Sequence, residues 1–195
     1  MKPLLGQTPS QTVGPFFATA LTAVQYGYPF TSIAGPDMAD AAVAGQRIRI
    51  EGQVLDGAGA AITDAVIEIW QADASGAYAR LPVAPAAFSG FGRCGTGTAK
   101  AGLFWFETVK PGPAGPGQAP HINVTVMMRG LLLHAFTRIY FADEAAANAQ
   151  DLVLTGIAAD RRHTLIAQKL LRGGAVIYRF DIRMQGADET LFFDT

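Results

Sequence analysis

Pro120, His121, Ile122 and Asn123 open an apolar run that extends to Phe141. If the run starts as a strand, its period of two sends residues 121 and 123 to the same face. Two histidines at that spacing would grip one metal ion from a single strand. The second position is Asn123, whose carboxamide is a poor ligand for a transition metal. The stretch is the frame of a metal site with part of its chemistry missing. His134 and His163 lie far off in sequence and complete no ligand spacing, so they read as satisfied core or rim residues. His121, at a loop-to-strand position, stays open between a rim residue and a site residue.

Other reactive groups are few. The chain has no G-x-S-x-G, no phosphate loop and no G-x-G-x-x-G after a strand. Its one cysteine, Cys94, excludes an intrachain disulfide and a multi-cysteine metal cluster, and reads as a small buried thiol despite the neighbouring Arg93. Asn123-Val124-Thr125 matches a glycosylation acceptor, a signal of low specificity that is discounted within a strand. Arg129 sits at a turn between apolar residues, where a guanidinium is either solvated or aimed into an anion pocket.

These residues need a scaffold, and composition bounds it. A chain of 195 residues is long enough for one domain with a large core. Charged residues make up 16%, against roughly 25% in an average soluble protein, so part of the surface is expected to be buried against other chains. A net charge of −1 without a basic cluster excludes the electrostatic footprint of a nucleic-acid binder. No apolar run is long enough to span a bilayer and the first ten residues lack a leader core, so a soluble, cytoplasmic protein is expected.

The elements are mostly strands. Residues 7–16, QTPSQTVGPF, form an arm stiffened by Pro9 and Pro15; ordering such an arm costs less entropy than ordering a flexible one, so it can dock on a partner. Residues 17–35 read as irregular and 36–43, PDMADAAV, as a short helix. Strands are expected at 47–56, with Ile48, Ile50, Gly52 and Val54 on one face, and at 65–71, 91–96 and 103–109. A hairpin of 121–128 and 133–141 turns at Arg129 and Gly130. Residues 142–151 suggest a short helix, and 164–171 with 175–185 a last hairpin whose second arm alternates throughout. About eight short strands with few helices predict an all-β sandwich: one domain over 1–195, with 1–45 as arm and irregular segment and 46–195 as core.

Pieces along most of the chain resemble the intradiol ring-cleaving dioxygenases: TPSQTVGPFF at 8–17, GQVLDGAGAAITDAVIEIWQADASGAY at 52–78, FGRCGT at 91–96, TVKPGP at 108–113, APHIN at 119–123, TRIYFADE at 137–144 and YRFDIRMQGADETLFFD at 178–194. The two end pieces resemble the α chains of the heteromeric members. The resemblance implies a β-sandwich of the intradiol type with short peripheral helices and an extended N-terminal arm. Members of this family hold a ferric ion, Fe(3+), with two tyrosinates and two histidines in an H-x-H pair. Carried over, the first histidine falls on His121 and the second on Asn123. The first tyrosine belongs in 80–90, which contains none, and the second where Ala114 stands; Tyr78 matches a family tyrosine that is not a ligand.

With three of four ligands missing, the resemblance implies no iron in this chain and no catalytic residue in it alone. Its implied partner is a homologous β subunit that carries the iron, in a higher-order assembly of αβ units without nucleic acid or membrane. Protocatechuate and O2 are the implied substrates and 3-carboxy-cis,cis-muconate the product. The arm and turn features that shape the cleft fall on Thr12, Gly14, Pro15, Phe16 and Arg129. Phe16 stands where α chains often have tyrosine. An arginine near the cleft would orient the ring carboxylate, and a Gly-Pro backbone can approach a flat ring closely. The alternatives are an iron-free sandwich that now serves as a binding module, and a self-sufficient dioxygenase with unusual ligands, which the shortage of tyrosines and histidines disfavours.

Overall fold

Nine strands carry the chain in the computed structural model, which describes residues 6, 9–79 and 88–194. They are β1 (Arg47–Leu55), β2 (Val66–Gln71), β3 (Phe91–Gly95), β4 (Leu103–Val109), β5 (His121–Met127), β6 (Ala135–Phe141), β7 (Ile166–Arg172), β8 (Ala175–Arg179) and β9 (Ile182–Arg183). One layer runs β3-β2-β5-β6 with every neighbour antiparallel. The other runs β7-β8-β1-β4, with β9 beside β1. The layers join where the start of β7 pairs with β6, Tyr140 opposite Ile166, before β7 continues along β8.

Alternation explains the closure. Ile48, Ile50 and Val54 of β1, Ile67 and Ile69 of β2, Phe104 and Phe106 of β4, and Ile122, Val124 and Val126 of β5 all point between the layers, in one buried cluster with Ile139, Phe141, Tyr178 and Phe180. Burying such side chains contributes roughly 1.5–3 kcal/mol each. The all-β sandwich expected from the sequence is this architecture.

Helices are short and peripheral: α1 (Phe17–Leu21), α2 (Ala145–Asn148) and α3 (Leu152–Gly156), with 3-10 turns at Ala23–Tyr26, Ala142–Glu144 and Arg162–Leu165. None of the described helices is long and apolar enough to cross a membrane. The segment read as irregular, 17–35, thus holds α1 and a 3-10 turn, and Gln25 from that turn ties it to β3 by accepting from the Gly95 amide at 2.8 Å.

Two local expectations fail for identifiable reasons. The helix expected at 36–43 does not form, because Met38 donates to the Glu107 carbonyl and Glu107 to the Pro36 carbonyl, both at 2.9 Å, which spends that backbone on the edge of β4. Asp40 then accepts from the Ala42 amide at 2.8 Å, the local competition that keeps aspartate out of helix interiors. The continuous strand expected at 175–185 breaks into β8 and β9, since the Phe180 amide leaves the β7 ladder and donates to the Glu51 carbonyl at 2.9 Å. The turn expected at Arg129–Gly130 forms, with the Leu131 amide donating to the Met128 carbonyl at 3.4 Å, and the second strand begins two residues later than expected, at Ala135.

The break at Phe180 also explains Gly52. A Cβ at position 52 would lie 1.8 Å from the Phe180 carbonyl oxygen, so the close approach of β1 and the backbone at Phe180 depends on glycine there. Gly52→Ala is expected to destabilise the fold by about 3 kcal/mol, the upper range of overpacking costs, as a lowered denaturation midpoint in urea. An unchanged midpoint would contradict the packing described.

Candidate functional site

Register assembles the outer face of the β3-β2-β5-β6 layer. In one cross-strand row Phe91 faces Trp70, Trp70 faces Asn123, and Asn123 faces Arg138. In the next row Arg93 faces Glu68, Glu68 faces Thr125, and Thr125 faces Phe136. On the other side of the first row His121 faces Tyr140. From the first two rows Phe91, Trp70, Asn123, Arg138, Glu68, Thr125 and Phe136, with Val153 and Phe193, line a cleft of about 550 Å³.

Asn123 is fully engaged. Its Nδ2 donates to the Trp70 carbonyl at 3.3 Å and to the Tyr78 hydroxyl at 3.0 Å, and its Oδ1 accepts from Arg138 Nε at 3.1 Å. Arg138 also donates to the Tyr140 hydroxyl at 3.4 Å. His121 is buried, with Nδ1 2.9 Å from the Ala119 carbonyl oxygen. Burial pushes its pKa below the ordinary value, and the nearby Arg138 acts in the same direction against the Ala119 contact and Asp151. The ring is neutral at pH 7.

A single buried carboxylate sets this geometry. Asp151 accepts from the Ala119 amide at 2.7 Å, the Leu154 amide at 2.8 Å, the Val153 amide at 3.0 Å and the Tyr140 hydroxyl at 3.1 Å. It caps α3 and at the same time fixes the entry to β5 two residues before His121. Burial alone would raise its pKa, but the four donors outweigh that and hold the carboxyl below its usual range. Tyr140, buried against this group, is pushed up to about 12 and stays protonated.

Of the positions at which the resemblance places metal ligands, His121 and Asn123 share the outer face, as the period of two requires. Ala114 sits half-buried in the loop behind the Asp73–Ala77 turn, close enough that a Cβ on Gly76 would lie 3.6 Å from its Cα. Most of the loop read as lacking the first tyrosine, residues 80–87, lies outside the described residues. The donor set does not fit a ferric ion: at the second-histidine position stands an amide whose oxygen is bonded to a guanidinium, which places a positive charge where a cation would sit. Among the described residues no cluster of three or more His, Cys, Asp or Glu exists. Cys94 is fully buried and its thiol pKa is raised by burial to about 11, consistent with an inert core residue.

The arm and turn residues form a second group elsewhere. Thr12 Oγ1 accepts from the Gly130 amide at 2.8 Å, so the arm lies on the turn that carries Arg129. Arg129 Nε pairs with Asp64, and its side chain is 57% exposed. Gly14 accepts from the Phe17 amide at 3.2 Å and Pro15 follows it into α1, where Phe16 is the N-cap residue and is 81% exposed. Eight residues separate His121 from Arg129; at about 3.3 Å per strand residue the two groups lie roughly 25 Å apart, at opposite ends of β5. They are not one site within this chain. Arg138 and Asp151 are the residues that sequence reasoning missed, although the hairpin pattern contained the signal for Arg138.

The family model "Dioxygenase" (Dioxygenase_C) matches residues 31–186. The protocatechuate 3,4-dioxygenase alpha chain of Burkholderia cepacia is 53% identical over 193 residues, covering 97% of this chain and 98% of that one. The beta chain of the Burkholderia cepacia enzyme is 32% identical over 162 residues, 75% of this chain and 67% of that one. Among solved structures, the intradiol ring-cleavage dioxygenase of Tetranychus urticae superposes with a TM-score of 0.62 at 20% identity, over 92% of this chain and 94% of that one, a likeness of fold.

Asp151→Ala leaves buried donors without an acceptor and is expected to cost about 3 kcal/mol at pH 7 by chemical denaturation. Because the folded carboxyl lies below its unfolded value, its contribution is complete above about pH 4 and is lost as the pH falls further. The gap between wild type and variant should therefore close below about pH 4; a gap constant down to pH 2 would contradict the charged cap.

Proposed function

The chain belongs to the intradiol dioxygenase family, and on that premise we propose that it is the iron-free α chain of a protocatechuate 3,4-dioxygenase. The complex would cleave the aromatic ring of protocatechuate between its two hydroxyl-bearing carbons, with both atoms of O2 entering the product, 3-carboxy-cis,cis-muconate. A ferric ion held by a homologous β chain would supply the redox chemistry. The observation that carries the reading is the amide of Asn123 bonded to the Arg138 guanidinium at the position where the family needs a histidine.

The second group of residues is read as this chain's part in the partner's site. An arm laid on a turn, with a half-exposed arginine and an exposed Phe16 beside it, has the chemistry to close a cleft over a flat anionic ring. Arg129 would draw in and orient the ring carboxylate. Thr12 holds the arm against the Arg129 turn, and the Gly14–Pro15 backbone gives a wall without a protruding side chain. The separation of this group from the chain's own relict pocket supports its use by a neighbour. Tyr28, Phe30 and Ile33 are exposed apolar residues of the N-terminal segment, which suits burial against another chain in an assembly of αβ units. A lone buried thiol suits the reducing cytoplasm.

Arg129→Ala in the co-purified αβ complex is expected to lower kcat/KM for protocatechuate about tenfold, the scale of one charge-assisted contact, with iron content unchanged and Arg129→Lys intermediate. Steady-state O2 uptake and metal analysis read this out. Unchanged kinetics in Arg129→Ala would remove the role assigned to the turn.

A further inference from the structure

The cleft that the missing ligands leave behind has its own chemistry. Its walls are aromatic: Trp70, which is 51% exposed, with Phe91, Phe136 and Phe193. Its charged lining is unbalanced. Glu68 is held by Arg93, with Glu68 Oε1 at 2.7 Å from Nε and 2.6 Å from Nη2. The other nearby carboxylate, Asp151, is buried beneath the cleft and consumed by backbone amides and the Tyr140 hydroxyl.

Arg138 is different. Among the described residues its partners are neutral: the Asn123 amide oxygen, the Tyr140 hydroxyl and the face of Phe193, whose ring centroid is 5.8 Å from the guanidinium carbon. A half-buried guanidinium without a carboxylate leaves N–H groups facing the cleft, which an anion from outside satisfies more strongly than water. Asn123 fixes it through Nε and Tyr140 engages one terminal nitrogen, so the guanidinium is pre-oriented at the cleft wall. Thr125 adds a hydroxyl on the floor.

We propose that this cleft, in the chain itself, binds a small aromatic carboxylate, its carboxylate on Arg138 and its ring between Trp70 and the phenylalanines. A volume of about 550 Å³ lies within the range of small-molecule sites, and a planar ring matches aromatic walls better than an aliphatic or phosphorylated ligand would. The site has lost its cation and carries a cation of its own, so it holds an acid without opening its ring. It stands on different residues from the Arg129 role, and either assignment can fail alone.

The probe is 4-hydroxybenzoate, a planar acid without the second hydroxyl of a ring-cleavage substrate, titrated into the full chain in whatever assembly it purifies. Calorimetric stoichiometry and affinity are the readouts, with quenching of tryptophan fluorescence in a Trp105→Phe background reporting on Trp70. One saturable site per copy of this chain is expected, besides any at a partner's iron. That site should weaken about tenfold in Arg138→Gln and for the neutral 4-hydroxybenzyl alcohol, while Arg138→Lys retains part of the affinity. Thr125→Trp, which fills the floor and leaves Arg138 in place, should abolish it, and melting curves establish that each variant is folded. Binding only at a partner's iron, no binding, or binding by a folded Thr125→Trp variant equal to that of wild type would overturn the proposal.

Discussion

The register of β5 between β2 and β6 is the constraint on which the functional anatomy depends. Ile122, Val124 and Val126 must enter the core, so His121, Asn123 and Thr125 must face outward. A slip of one residue would exchange the two sets and expose three buried aliphatic side chains, so the penalty is several kcal/mol. Asp151 pins the strand at its start by holding the Ala119 amide, and the ladders to Trp70 and Arg138 fix it laterally. Once these contacts are made, the composition of the outer rows follows without further choice.

From that register comes the division of labour along one strand. At one end a neutral histidine and an engaged asparagine border an aromatic cleft with an arginine in it; at the other an arm meets a cationic turn. A self-sufficient enzyme of this family would need metal ligands and substrate-positioning groups at one place. In this chain the positions at which the family resemblance places ligands and the arm-and-turn residues are separated by the length of β5, and Asn123 is bonded to the Arg138 guanidinium. The same substitution, asparagine bonded to arginine, opposes a metal cation and favours an anion.

Much of this was legible in the residues. Alternation marked β1, which lies with one face on the core, and the departure at Asn123 was visible as soon as the period of two was applied to β5. The arm and the Arg129 turn were named from sequence, and the structure brings Thr12 to Gly130. What escaped depended on long-range contacts. Residues 36–43 have helical composition, yet their backbone is captured by β4; residues 175–185 alternate like one strand, yet Phe180 is diverted to β1 across a glycine. Arg138 escaped although the hairpin bounds held it: strands at 121–128 and 133–141 joined end to end already set Asn123 opposite Arg138, as the ladder does. Asp151 looked like the last residue of an alanine-rich helix and is instead the cap of the next one.

The iron-free subunit proposed for this chain leaves the metal to its β partner. The most direct test is iron content and protocatechuate-dependent O2 uptake of the chain purified alone and of the chain co-expressed with a homologous β chain. The account predicts a lone chain that is colourless, free of stoichiometric iron and inactive, and a pair that is iron-loaded and active. A lone chain that retains one iron per copy and consumes O2 with protocatechuate would contradict it, and would mean that residues other than His121 and Asn123 hold the metal.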